Sequence, residues 1–238
     1  MVEKSLMNNI MKRLIYIILT VVVLGTMMYS CKKDGYFVGG DLHNPKINMT
    51  TYDWLKSNKD GVFDTVIMLI DKAGVKDKIN KQGITFFAPT DYDIYNYVQA
   101  RSIAMQRIDP EKKWTVDSMI KYELPRFADS IDMYIVNQTL QNDLLTENGT
   151  KYKNAKGKDV VVSYEPTDDT NLGYNEASSV RPRIVYFSYL FQALDNNVPA
   201  SDIALPIGVR TRVQTSNAQT TTGVVHVLNN SHILFFYR

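Results

Sequence analysis

An apolar run from Leu14 to Met28 opens the chain's pattern, and a stretch without apolar periodicity follows it. That stretch, residues 32–49, carries Gly35, Gly39, Gly40 and Pro45 and reads as a flexible tether. From Thr50 the spacing turns helical. Thr50 or Thr51 caps a short helix with Trp54 and Leu55, and a second helix runs from about Gly61 to Ala73, closed by Gly74. Lys76 to Asn80 add one turn. Ile84-Thr85-Phe86-Phe87-Ala88 has the pattern of a buried strand, stopped at Pro89. Thr90-Asp91 then starts a helix carrying Ile94, Tyr95, Tyr97 and Val98. After a polar loop at 107–113, helices are expected over 116–122 and 126–134, with Pro125 between them. Ile135 to Leu140 is apolar and partly β-branched, and Tyr152 with Val160–Tyr164 suggests a hairpin around 154–158. A polar loop fills 165–181. Strands follow at 183–191, whose end could turn helical, at 209–213 and at 224–228, and a closing strand is expected over 232–236. Early helices and late strands predict an α+β fold.

The junction behind the apolar run changes the picture. Met11-Lys12-Arg13 precede the run and Tyr29-Ser30-Cys31 end it. A span of about 15 residues is short for a membrane-crossing helix, which needs ~20. A basic start, an apolar middle and a small residue before the cut make a signal peptide. Cys31, the only cysteine, resembles the lipobox cysteine of bacterial lipoproteins, although Met28 stands where leucine is usual. The resemblance implies a signal peptide over 1–30, a lipidated Cys31 beginning a tether over 31–49, and a domain over 50–238. It further implies attachment to a membrane through the N-terminal lipid. Lys32 is not the aspartate that retains lipoproteins at the inner membrane in the enterobacterial rule, which favours the outer membrane and leaves surface or periplasmic orientation open. The leader holds Lys4, Lys12, Arg13 and Glu3, so it accounts for the whole formal charge of +2. A neutral domain gives no electrostatic case for nucleic acid. With no thiol beyond Cys31, disulfides, thiolate metal sites and cysteine catalysis are excluded downstream of it.

Two distant segments carry a second resemblance. Gly83-Ile84-Thr85-Phe86-Phe87-Ala88-Pro89-Thr90-Asp91 is similar to the T-x-F-A-P-T-[ND] stretch of the fasciclin, or FAS1, domain. Thr222-Gly223-Val224-Val225-His226-Val227-Leu228-Asn229-Asn230 is similar to that family's N-G-V-[IV]-H-V-[IL]-[DN] strand, with Thr222 in place of the leading asparagine. The likeness spans roughly residues 50–238. It implies a wedge of two small β-sheets with several α-helices packed at one side, and binding or adhesion rather than catalysis. Many members have a Tyr-His pair linked to adhesion, whereas Tyr134 is followed here by Ile135. The 95–130 span is longer than a compact member needs and reads as a helical insertion.

The residues have a reading of their own. Thr90 or Asp91 can accept bonds from the first free amides of the following helix, and Gly223 gives the backbone room to enter its strand. His226 sits within apolar neighbours, as a hydrogen-bonded core histidine would, and its ring could tie the two segments together. His43, His226 and His232 show no metal-ligand spacing, and no cofactor fingerprint is present. Fifteen tyrosines include Tyr92 and Tyr95, which share a helical face and with Tyr134 form a candidate binding surface. Three D-[ST]-apolar triplets, at Asp64, Asp117 and Asp129, resemble O-glycosylation sites of exported Bacteroidetes proteins. The expected function is a lipid-anchored envelope module that contacts a glycan or another envelope protein, as an accessory to nutrient uptake. The alternative is an envelope hydrolase using a carboxylate pair.

Overall fold

The computed structural model describes residues 44–195 and 198–237; Cys31, the leader and the tether as far as His43 lie outside the described residues. The fold is α+β. The helices are α1 (Thr51–Lys56), α2 (Asp64–Ala73), α3 (Lys76–Ile79), α4 (Asp91–Gln106), α5 (Val116–Tyr122) and α6 (Leu124–Ser130). The strands are β1 (Ile84–Ala88), β2 (Ile135–Val136), β3 (Thr150–Lys153), β4 (Asp159–Pro166), β5 (Arg183–Leu190), β6 (Gly208–Gln219) and β7 (Gly223–Leu228). They form one seven-stranded sheet in the order β2-β1-β7-β6-β5-β4-β3. Only β1 and β7 are parallel; the other neighbours run antiparallel.

The expected pair of small sheets is therefore replaced by a continuous one. The twelve-residue β6 is the reason. Its first half, Gly208 to Arg212, pairs with β5, and its second half, from Val213, pairs with β7. Two register shifts, at Val213/Thr215 and Thr215/Ala218, let one strand bend between two ladders without ending. The far ends of the sheet also approach each other. Val136 bridges Asn154 in the β3–β4 turn, and the Ala155 amide donates to the Ile135 carbonyl at 2.7 Å.

Rings fill the space so enclosed. Phe87 stacks on Phe187 with centroids 4.1 Å apart and on His226 at 5.2 Å. Phe236 lies against Tyr189 at 4.6 Å and Tyr134 at 5.3 Å. Phe236 comes not from a closing strand but from a 3₁₀ turn, Leu234–Phe236. Phe235 and Phe236 have φ of 65° and 52°, a backbone region that bulky residues rarely occupy. Packing of both rings into the core holds them there.

Other differences have local causes. The apolar, partly β-branched stretch 135–140 is a strand for two residues only, and the Thr85 hydroxyl replaces a ladder partner beyond them. It donates to the Gln138 carbonyl and accepts from the Leu140 amide, each at 2.7 Å. Pro125 does not separate two helices but sits in the first turn of α6, where a missing amide hydrogen costs nothing. The last residues of the expected tether are docked. Gln219 donates to the Pro45 carbonyl, Ile47 donates to Gln219, and Thr221 donates to Met49, all at 2.8 Å. The 95–130 span is bound into the core through Met119 and Phe127, both fully buried. Tyr97 of α4 donates to Glu123 at 2.6 Å and accepts from Arg126 at 2.8 Å, which pins α4 to the start of α6.

Candidate functional site

The two signature segments, more than 130 residues apart, meet as the parallel pair β1 and β7. Ile84 is in register with Gly223, Thr85 with Val224, Phe86 with Val225, Phe87 with His226 and Ala88 with Val227. Thr85, Phe86, Ala88, Pro89, Gly223, Val224 and His226 are all buried. A Cβ on Gly223 would sit 2.1 Å from the Ile84 carbonyl oxygen, so the strands approach this closely only because that side chain is absent.

Asp91 caps a helix, but not its own. Its carboxylate oxygens accept from the Thr65 amide at 2.9 Å and the Val66 amide at 3.0 Å, in the first turn of α2. The start of α4 is closed by Asp93, which accepts from the Thr90 amide at 2.7 Å. Asp93 is completely buried, its other carboxylate oxygen has no partner, and burial pushes its pKa up to about 8. One carboxylate of the Asp91–Asp93 motif is thus committed to two amides and the other is sealed from solvent.

His226 ties its strand to other segments than expected. Its Nε2–H donates to the Leu140 carbonyl at 2.8 Å, and its Nδ1 accepts from the Asn217 amide at 3.3 Å. This arrangement requires the neutral ring, and burial lowers its pKa to about 4. Its link to the first segment is the stack on Phe87.

Tyr134 is removed from the candidate contact surface: it is fully buried. Its hydroxyl accepts from the Phe235 amide at 2.8 Å and lies 2.9 Å from His232 Nε2. Burial lowers the His232 pKa to about 3. The missing sequence neighbour of Tyr134 is thus met in space by a histidine 98 residues away, in the interior.

Tyr92 and Tyr95 are 54 % and 59 % exposed. At 100° per residue, Tyr92, Tyr95, Gln99 and Ile103 fall within one arc of α4. Ile103 is also 52 % exposed, and sequence reasoning missed it, although its position eleven residues beyond Tyr92 gives it the same face. Asp93, Ile94 and Tyr97 on the opposite side are buried. Helix α4 therefore has one packed face and one open face, the open one apolar at Tyr92, Tyr95 and Ile103 and polar at Gln99. Arg101, in the second half of α4, lies over the Trp114 ring at 4.8 Å, and Tyr122 of α5, 63 % exposed, approaches Trp114 at 6.0 Å. Of the three triplet hydroxyls, Thr65 and Ser118 are half-buried, whereas Ser130 is buried. Among the described residues no group of three potential metal ligands occurs, and no helix is long and apolar enough to cross a membrane.

No protein-family model matches the sequence, and no curated protein matches it. Among solved structures the chain is similar to the FAS1 domain pair of the insect cell adhesion molecule fasciclin I, with 13 % identity and a TM-score of 0.42. That likeness covers 74 % of this chain and 46 % of the other, so the chain spans about half the length of that structure.

Proposed function

We propose that the protein is a lipid-anchored envelope lipoprotein whose FAS1-type domain binds another envelope protein, without catalysis, through the open face of α4. The observation that carries this is the open face of α4. Tyr92, Tyr95 and Ile103 stand in solvent while the helix is already anchored from behind by Ile94, Tyr97 and Asp93. An exposed apolar stripe of this kind marks an interaction surface. A helix is convex and encloses no ligand, so its natural complement is a macromolecular surface. Tyrosines supply large contact area with few torsions to freeze. The FAS1 assignment is supported by the two motifs and by their pairing as β1 and β7. The anchor rests on the apolar run ending at Ser30-Cys31. The non-catalytic reading is supported by the commitment of Asp91 to α2 and the burial of Asp93.

A photo-crosslinking amino acid at position 95, compared with one at Lys151 on the edge strand β3, tests the face in cells. A discrete adduct from position 95, lost on Tyr92→Ala and absent from position 151, is expected. Equal adducts from both positions would dismiss the α4 surface. Labelled palmitate should enter the chain and fail to enter Cys31→Ser; incorporation into that variant would dismiss the anchor.

A further inference from the structure

A second place on the domain has the chemistry of a ligand site. Where β1 and β7 begin, residues 46–48, 82–83, 139, 141 and 219–224 converge on an open groove of about 530 Å³. That volume lies in the range of small-molecule sites, which are usually lined mainly by apolar side chains. This lining is different. Asn48, Gln82, Thr139, Gln141 and Thr221 bring amides and hydroxyls to it, and Lys46 is its one charged residue.

The walls are set while these groups stay free. The backbone beneath them is fixed by Ile47 donating to Gln219 and Thr221 donating to Met49, each at 2.8 Å, and by Gly83 donating to Thr222 at 2.9 Å. Behind them the hydroxyl of Thr51 lies 3.0 Å from those of both Thr220 and Thr222. None of the five side chains facing the groove takes part in a hydrogen bond among the described residues, although together they offer both donors and acceptors. A fixed backbone that leaves these polar groups uncommitted keeps their donors and acceptors available to a partner that hydrogen-bonds in both senses.

We propose that this groove binds a neutral carbohydrate. A ligand matched to amides and hydroxyls must be polar. A lining with no carboxylate offers nothing to a cation, and Lys46 is the single charge it offers to an anion, whereas its other polar groups are neutral. Sugars present the hydroxyls, each able to donate and accept, that such a lining complements. The site does not depend on the α4 face. Helix α4 starts beyond the C-terminal end of β1 and the groove lies at its N-terminal end, a strand of five residues, or roughly 16 Å, away. Both surfaces can therefore be occupied together.

The test uses the purified full chain in a zwitterionic detergent, because a maltoside headgroup is itself a sugar. Neutral gluco-, manno- and xylo-oligosaccharides are screened by saturation-transfer NMR beside an oligogalacturonide and a neutral polar peptide. At least one neutral oligosaccharide should give transfer. The Gln82→Ala/Gln141→Ala variant should lose about tenfold in affinity, two modest hydrogen bonds' worth. Its melting temperature should not move, since neither side chain is bonded within the protein. Tyr92→Ala/Tyr95→Ala should bind the sugar as the parent does. No transfer from any neutral oligosaccharide overturns the proposal. So does preference for the uronide or the peptide, unchanged affinity in the glutamine variant, or loss of binding in the tyrosine variant.

Discussion

Asp91 follows the N-cap of one helix and serves another. Its position after Thr90 makes it look like part of the α4 cap, yet both of its oxygens accept from the first turn of α2, some 25 residues earlier. The residue type and its chemistry were legible in the sequence; the identity of the amides was not, because α2 reaches Asp91 only through the fold. Asp91→Ala should cost about 1 kcal/mol, with an upper limit of about 2, and Asp91→Asn should recover part of it through its remaining carbonyl oxygen. Chemical denaturation checks both, and an alanine variant as stable as the parent would refute the cross-helix cap. His226 was legible as a core histidine for a simpler reason: apolar neighbours on both sides leave a strand residue no face to expose. Its two partners were not, since Leu140 lies 86 residues away. His226→Ala leaves the Leu140 carbonyl and the Asn217 amide unpaired inside the protein, which should cost roughly 1–3 kcal/mol. A melting temperature equal to the parent's would contradict that role.

Among elements, those with strong local signals stand where their patterns put them. Strand β1 ends at Pro89, α2 ends at Gly74 with φ of 66°, and the β3–β4 hairpin turns at residues 154–158. The C-terminal turn does not follow its pattern. Ile233 to Phe236 is an apolar run that reads as a strand, but the cavity bounded by Tyr134, Phe187 and Tyr189 takes the Phe236 ring instead. Tertiary packing outweighs local preference there, and the backbone is forced to positive φ at two phenylalanines. Tyr134 is the lock on that turn through the Phe235 amide. Tyr134→Phe keeps the ring and removes the acceptor, leaving a buried amide hydrogen without a partner. A loss of about 1–3 kcal/mol is expected, with faster hydrogen exchange at Phe235 and Phe236 than at β1. Exchange accelerated equally at both places would show that the hydroxyl does not hold the turn. The face of α4 marks the opposite limit: Tyr92 and Tyr95 were visible as a pair, while only packing shows which side of the helix stays open.

The molecule as a whole carries opposed titrations in its interior. His226 and His232 are held neutral by burial, with pKa values lowered from 6.5 to about 4 and about 3. Unfolding frees them to bind protons, so their contribution is fully present above the unfolded value and is lost as pH falls toward the folded ones. Asp93 acts with the other sign. Burial raises its pKa from 3.8 to about 8, so its contribution is fully present below 3.8 and is lost as pH rises through the folded value. From about pH 4 to 6.5 the unfolded chain binds two more protons at the histidines and one fewer at Asp93, a net of one, and stability rises with pH. From about pH 6.5 to 8 only Asp93 differs, and stability falls by about 1.4 kcal/mol per unit at most. These groups together place the maximum at about pH 6.5. Asp93→Asn keeps an oxygen for the Thr90 amide and removes the ionisation. It should abolish the falling limb above that pH and steepen the rising limb below it, where the two histidines then act unopposed. Thermal melts of both proteins across pH 4 to 9 read the difference directly, and a falling limb that survives in Asp93→Asn would mean that another buried acid, not Asp93, sets the alkaline side.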